Sequence, residues 1–322
     1  MLFHHGSLLG LYYKEVSSYP VGYERVIDLY PLNFEEFLWG VGIKKDTISY
    51  AKDCFSNITK MDEYIVKQFL EQFKMFIIVG GMPKIVDEYI KTNSLSRVLL
   101  LQRAIIENYL LDVVKYADVS NKQKVINAFN SIPIQLSKEN KKFIYSTINN
   151  KENNIGARKY IDSIEWLKDA GIINCCYNLF EPALPLTSNI KLNCFKIYMR
   201  DTGLLISMLE TGVQKAILDN DLSINKGAIL ENVCASEIAC KYDKLMYFDK
   251  KSKLKINYIL NINGKATAIE IKSGNNKQAK SLDSIIQNYK TVTRYMKFEN
   301  NFNIYIDENK IEHYPLFMIM FI

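Results

Sequence analysis

The sequence lacks the cysteine patterns that mark zinc sites and disulfide frameworks. Its six cysteines include no C-x-x-C pair, and the adjacent Cys175 and Cys176 are awkward partners for a disulfide. Free thiols are typical of a reducing compartment, so we expect a cytoplasmic protein.

The sequence also lacks a long apolar run. The apolar C-terminal segment YPLFMIMFI is far shorter than the roughly 20 residues that a membrane-spanning helix needs. The N-terminal segment MLFHHGSLLGLYY has no basic region of the kind that opens a signal peptide. We therefore expect neither export nor a membrane partner.

Positive charge exceeds negative charge only modestly. The formal net charge of +6 over 322 residues permits an acidic partner such as DNA without requiring one. With 48% hydrophobic and 24% charged residues, the chain can bury a large core, and its length predicts two or more domains.

Periodicity divides the chain into three kinds of region. Apolar residues recur at helical spacing from about 46 to 118, which predicts a helical bundle, and Asn33 is a candidate N-cap for an earlier helix. Three helices and a β-prone run follow in 119–190, a pattern typical of a winged helix. From 191 the chain alternates helices and strands, so the predicted fold class is mixed α/β.

The dipeptide Asn263-Gly264 predicts a tight β-hairpin in the last region, since both turn positions need positive φ. Pairing Ile262 with Lys265 sets the register and puts Asn257 opposite Glu270. One face then carries Lys255, Asn257, Glu270 and Lys272, and the other carries Ile256, Tyr258, Leu260, Ile262, Ile269 and Ile271.

The polar face resembles half of a metal-dependent nuclease site. Such a site needs two carboxylates to hold Mg²⁺ and a lysine near the attacking water. Glu270 and Lys272 fit two of these roles, but the position opposite Glu270 is Asn257, whose amide contributes no charge. Asp249 is the nearest alternative carboxylate. A solvated face with a Lys–Glu pair explains the same pattern.

Eight segments in order resemble a large family of prokaryotic ATP-binding proteins. They are GSLLGL, YPLNFEEFL, VGGMP, SIPIQLSKENKKF, GARKYIDSIEWLKDAGII, KIYMRDTGLL, KGAILENV and IEIKSG. The family joins an AAA-type ATPase to a winged helix and a C-terminal PD-(D/E)xK nuclease-like domain. The resemblance implies an ATPase remnant in 1–45, a lid-like helical region in 46–118, a winged helix in 119–190 and the nuclease-like domain in 191–322.

The resemblance also assigns roles to individual residues. It implies that Glu231 is a helix carboxylate of the metal site, Glu270 a metal ligand and Lys272 the catalytic lysine. The family typically has Glu-Val-Asp where this chain has Lys255, Ile256 and Asn257, so the implied metal site is degenerate and Mg²⁺ binding weak. The family's P-loop precedes the matching region, so this chain looks N-terminally truncated, and we expect neither ATP binding nor ATPase activity from it alone.

Three hypotheses about function remain open from the sequence. The chain is a DNA- or protein-binding module with a degenerate metal site, or a Mg²⁺-dependent DNA nuclease that uses Glu231, Glu270 and Lys272, or the C-terminal part of a split ATPase. The third hypothesis implies a partner chain that carries the P-loop. If the ATPase core is missing, we expect the apolar residues near the N-terminus to lack part of their cover, which favours association with such a partner or self-association. In the candidate recognition helix, Asp162, Glu165 and Asp169 offset Arg158, Lys159 and Lys168, which weakens attraction to phosphates.

Overall fold

The computed structural model describes residues 27–138, 141–144, 148, 160–219, 226–250, 254–273 and 280–322. This part of the chain is a mixed α/β fold with twelve α-helices and nine β-strands, which confirms the predicted class. Among these residues no helix is both long and apolar enough to cross a membrane. All six cysteines are free thiols.

Five helices form the N-terminal part of the described chain. They are α1 (Phe34–Gly40), α2 (Lys45–Asn57), α3 (Glu63–Val79), α4 (Pro83–Thr92) and α5 (Leu95–Tyr116). The first begins with a capping box, because Asn33 Oδ1 accepts from the Glu36 N–H at 2.9 Å and Glu36 Oε2 accepts from the Asn33 N–H at 2.9 Å. The predicted N-cap is confirmed.

Three helices and a hairpin follow, and the hairpin leads into two short helices. The elements are α6 (Lys122–Asn130), α7 (Ile132–Ser137), α8 (Ile161–Asp169), β1 (Ile173–Leu179), β2 (Ile190–Met199), α9 (Thr202–Ser207) and α10 (Val213–Leu218). The second strand begins at Ile190 and pairs with β1 in antiparallel fashion.

The C-terminal part alternates helices and strands. Its elements are α11 (Lys226–Ala239), β3 (Leu245–Lys250), β4 (Leu254–Ile256), β5 (Tyr258–Ile262), β6 (Lys265–Lys272), α12 (Lys280–Asn288), β7 (Arg294–Glu299), β8 (Tyr305–Ile306) and β9 (Ile311–Pro315). The strands form two sheets, with orders β2-β1-β3-β4 and β5-β6-β7-β9-β8. Parallel pairing of β1 with β3 therefore joins the hairpin to the C-terminal part in one sheet.

One buried aspartate connects the helical part to the hairpin. Asp201 caps α9 by accepting from the Leu204 N–H at 2.8 Å, and its other carboxylate oxygen accepts from the Gly81 N–H at 2.7 Å. Gly80 has a φ of +77° and ends α3, so the two glycines form a tight turn around this carboxylate. The segments VGGMP and MRDTGLL are thus two halves of one contact.

The predicted hairpin register is confirmed in part. Ile262 pairs with Lys265, and Asn263 and Gly264 have φ values of +52° and +76°, as a type I′ turn requires. Pairing stops at Tyr258 with Ile269, however, because the chain bends at Asn257 between β4 and β5.

This bend overturns part of the predicted face assignment. Lys255 pairs with Asp249 on β3, and the ladder between β5 and β6 does not extend to a pair of Lys255 with Lys272. Ile256 does not pack in the core that contains Tyr258 and Ile269. It belongs to a second apolar cluster, which contains Phe248, Ile259, Ala268, Leu282 and Ile285. The alternation in the sequence could not reveal the bend because every residue around it is β-compatible.

Candidate functional site

Glu270 and Lys272 lie together at the end of β6, as their two-residue spacing predicts. The Lys272 Nζ is 2.9 Å from Glu270 Oε1, and the Glu270 side chain is only 3% exposed. Its second oxygen, Oε2, is buried and has no hydrogen-bond partner among the described residues. A single carboxylate is a weak ligand set for Mg²⁺.

Asn257 does not complete this site. Its Oδ1 accepts a hydrogen bond from the Ile271 backbone N–H at 2.9 Å. Backbone N–H groups point along the plane of a sheet, so the Asn257 side-chain oxygen lies in that plane. It takes the place of the backbone carbonyl that would accept from Ile271 if the β5–β6 ladder continued. The expectation that it projects from the same face as Glu270 is wrong, because the bend turns this residue into the sheet edge.

Glu231 lies on the other side of the sheet from Glu270. The Tyr258 hydroxyl donates to the Glu231 backbone carbonyl at 2.6 Å, and Tyr258 pairs with Ile269 on the face that packs against α11. Side chains alternate along a strand, so Glu270 points to the opposite face, under α12 with Ala268. The three residues of the predicted metal set are therefore not brought together.

The Glu231 carboxylate is instead neutralised by three groups from two other segments, the stretch 141–144 and β2. It accepts from Lys141 Nζ at 2.5 Å, from the Tyr198 hydroxyl at 3.0 Å and from Lys196 Nζ at 3.5 Å. Burial by itself would raise the pKa of this carboxyl, but the charges of Lys196 and Lys141 outweigh it, and the pKa lies below its usual 4.5. Glu231 is thus an ion-pair anchor between α11 and β2.

The alternative carboxylate, Asp249, is also paired. Its Oδ2 lies 3.3 Å from Lys142 Nζ, and its backbone N–H and C=O are both bonded to the Asn178 side-chain amide, at 2.9 and 3.1 Å. Asp249 is on β3, where it pairs with Lys255 on β4. Across the described ranges, no cluster of three His, Cys, Asp or Glu side chains could hold a metal ion.

The sequence reasoning missed a buried ionic network beside Glu270. Lys297 on β7 pairs in register with Glu270, is fully buried, and places its Nζ 2.9 Å from Glu299 Oε2. His313 on β9 extends the chain, with Nδ1 3.0 Å from Glu299 and Nε2 3.1 Å from Asp307. The sequence does show Lys297 and Glu299 alternating with apolar Met296 and Phe298, a pattern that puts both charged residues on one face of a strand. Only the pairing of β7 with β6 shows that this face lies beside Glu270.

The network favours the charged form of His313. Burial lowers the pKa of His313, but hydrogen bonds to Glu299 and Asp307 outweigh it, so the pKa is raised above its usual 6.5. Burial likewise raises the pKa of Glu299, but bonds from His313 and Lys297 outweigh it and lower the pKa below 4.5. Since both ring nitrogens face carboxylates, this histidine offers no lone pair to a metal or a proton donor.

The exposed face of α8 is acidic in its described part. Asp162, Glu165 and Asp169 are exposed there beside Lys168, whose Nζ lies 6.0 Å from the centre of the Tyr177 ring. Arg158 and Lys159 lie outside the described residues. Lysines also gather in the sequence at 138–142 and at 250–255. Lys141 and Lys142 bind carboxylates and Lys250 lies over the Tyr289 ring, whereas Lys251 and Lys253 fall outside the described ranges.

Two family models match parts of the chain. One, described as "Domain of unknown function (DUF8612)", matches residues 70–215, and the other, described as "Domain of unknown function (DUF4143)", matches residues 226–317. The second match begins with α11, which carries Glu231, and extends past β9. No curated protein and no solved structure matches the chain.

Proposed function

We propose that this chain is a protein-binding module of the ATP-binding family that it resembles, and that its nuclease-like C-terminal domain does not cleave DNA. The observation that carries the proposal is the separation of Glu231 from Glu270 by the sheet, with Asn257 bonded to the Ile271 backbone between them. The match to DUF4143 agrees with the resemblance, because that family is often found in AAA-ATPase-associated proteins.

Charge favours a protein over DNA as the partner. DNA binding depends on lysines and arginines that are free to neutralise phosphates. Here Lys141, Lys142 and Lys196 are bound to Glu231 and Asp249, and the described part of the α8 surface has an excess of carboxylates. A helix with such a surface would repel the phosphate backbone in the major groove.

One observation favours the alternative of a metal-dependent nuclease. Within the part of the chain that the structure describes, Glu270 Oε2 is buried without a hydrogen-bond partner, and the Lys272 ammonium lies beside the same carboxylate, where it would assist an attacking water. A nuclease built on Glu270 and Lys272 would need further ligands from substrate phosphates, since Glu231 is held on the other face.

DNA cleavage distinguishes these two functions. Branched and single-stranded DNA are incubated with the wild-type protein in Mg²⁺ or Mn²⁺, beside the variants Glu270→Ala and Lys265→Ala. Lys265 is an exposed lysine on the same strand and serves as the control. We expect no cleavage by any of the three proteins, whereas cleavage that disappears only in Glu270→Ala would establish the nuclease.

Nucleotide binding tests the split-ATPase alternative. The 322 residues contain no Gly-x-x-x-x-Gly-Lys-[Ser/Thr] segment to hold phosphates. Calorimetric titration with Mg-ATP is expected to give no heat of binding with this chain alone. Micromolar binding would contradict that expectation, and binding only after addition of a P-loop-bearing chain would favour a split ATPase.

A further inference from the structure

Helix α5 buries only one of its sides. It is 22 residues long, and its buried residues are Val98, Gln102 and Val113. With about 3.6 residues per turn these three lie together, and Leu100, Leu111 and Val114 lie on the opposite side of the helix. The exposed fractions of these last three side chains are 68%, 65% and 50%. Most of this second side therefore faces solvent in the described chain.

The exposed residues follow the spacing of a seam that pairs with another helix. Such a seam alternates steps of three and four residues, and in α5 it comprises Leu100, Ala104, Glu107, Leu111 and Val114. All five residues are exposed. Since three of them are large and apolar and Ala104 is small, a second helix would approach closely and remove apolar surface from water.

Two exposed charges determine how α5 of a second copy would run along this seam. Arg103 borders the seam and Glu107 lies in it, and neither forms an ion pair within the part of the chain that the structure describes. Two parallel copies would place Glu107 beside Glu107 and Arg103 beside Arg103, which is unfavourable. Two antiparallel copies bring Arg103 of each to Glu107 of the other, so the charges favour antiparallel pairing.

One antiparallel register satisfies the apolar and the charged residues together. Leu100 then faces Leu111 of the second copy, and Ala104 faces Glu107 of the second copy. The short Ala104 side chain leaves room for the Glu107 carboxylate, and Arg103 next to it supplies the opposite charge. A shift by one heptad would set Leu111 against Glu107 or beyond the start of α5. Two-fold symmetry repeats each contact, so the pair gains two leucine layers and two ion pairs.

We propose that α5 is a self-association surface on which two copies of this chain pair as antiparallel helices, with Leu100 of each packed on Leu111 of the other. The seam involves far fewer residues than the roughly 20–30 per side of a standard interface. We therefore expect a weak dimer, with a dissociation constant on the order of 1–100 µM. Self-association neither requires nor excludes the binding of a different protein, so it stands apart from the proposed function.

Analytical ultracentrifugation of the full chain tests this pairing at protein concentrations from about 1 to 200 µM. Leu111→Arg places a charge in the seam, and Arg103→Glu and Glu107→Arg each turn two opposite-charge pairs into two like-charge pairs. Leu192→Arg is the control, because Leu192 is 76% exposed on β2, outside α5. All the substituted residues are exposed, and circular dichroism of each variant checks that the fold is retained.

We expect a monomer–dimer equilibrium in the wild type and in Leu192→Arg, and a dissociation constant raised about tenfold or more in the other three variants. Mixing Arg103→Glu with Glu107→Arg should restore a dimer, because opposite charges then meet at both ion-pair positions of the heterodimer. A mixture that dimerises no better than its components contradicts the antiparallel pairing.

Two further outcomes overturn the proposal. A wild-type protein that stays monomeric at about 200 µM would leave the seam to a different protein. Undiminished dimer formation in Leu111→Arg would show that the two copies meet elsewhere on the surface.

Discussion

Replacing Gly81 by alanine tests the contact that joins α3 to α9. Gly81 has no positive φ, so alanine is compatible with its backbone conformation. A Cβ at this position would nevertheless lie 2.0 Å from the Leu32 carbonyl oxygen and 2.9 Å from the Leu32 backbone nitrogen. These are backbone atoms, which cannot rotate away as the end of a side chain could.

The cost follows from the two hydrogen bonds that this close approach makes possible. Leu32 N–H donates to the Gly81 carbonyl at 2.7 Å, and Gly81 N–H donates to Asp201 at 2.7 Å. Moving the turn to accommodate a Cβ weakens both. A neutral bond contributes about 1 kcal/mol and a bond to a carboxylate about 1.5–3 kcal/mol, so the free energy of unfolding should fall by up to about 2.5–4 kcal/mol.

Gly42→Ala is the matched control. Gly42 has a φ of +86° but no heavy atom within 4 Å of the place where an added methyl group would lie, so its substitution costs only backbone strain of about 1–2 kcal/mol. Urea unfolding followed by circular dichroism compares the two variants with the wild type. If Gly81→Ala is no more destabilising than Gly42→Ala, the close packing of the turn does not contribute as argued.

Three further substitutions test the buried charges. Burial raises the pKa of Glu237 from 4.5 to about 7, so ionisation of this carboxyl destabilises the fold as pH rises through this range. In urea unfolding, Glu237→Gln should therefore stabilise the protein by about 3 kcal/mol at pH 8 and by little at pH 4. Because the pKa of His313 is raised in the folded state, its protonation stabilises the fold below pH 6.5, and this contribution is lost as pH rises past the folded pKa. Because the pKa of Glu299 is lowered, its ionisation stabilises the fold above pH 4.5. His313→Gln should therefore lower the melting temperature most between pH 4.5 and pH 6.5, and a loss that does not depend on pH would contradict the ion pair. Glu231→Ala should cost about 3–5 kcal/mol because it leaves the largely buried Lys196 without its carboxylate, and a loss below about 1 kcal/mol in the same urea assay would count against the anchor.

Part of the candidate site follows from sequence alone. Asn263-Gly264 sets the Ile262–Lys265 register, and alternation along one strand puts Glu270 and Lys272 on one face. Both are local properties, since a two-residue turn and a two-residue period need no knowledge of distant segments. The same reasoning failed at Asn257, because the register was extended through a bend that the adjacent β-compatible residues do not reveal.

The sequence by itself determined the mixed α/β class, the capped start of α1 and the tight hairpin turn, since capping, periodicity and turn chemistry act within a few residues. Only the tertiary structure decided which charges meet. Glu231 binds Lys141, which is 90 positions away, and His313 meets Glu299 only because β9 lies beside β7. Parallel pairing and packing of distant segments set these contacts, and no local pattern encodes the partner of a buried charge.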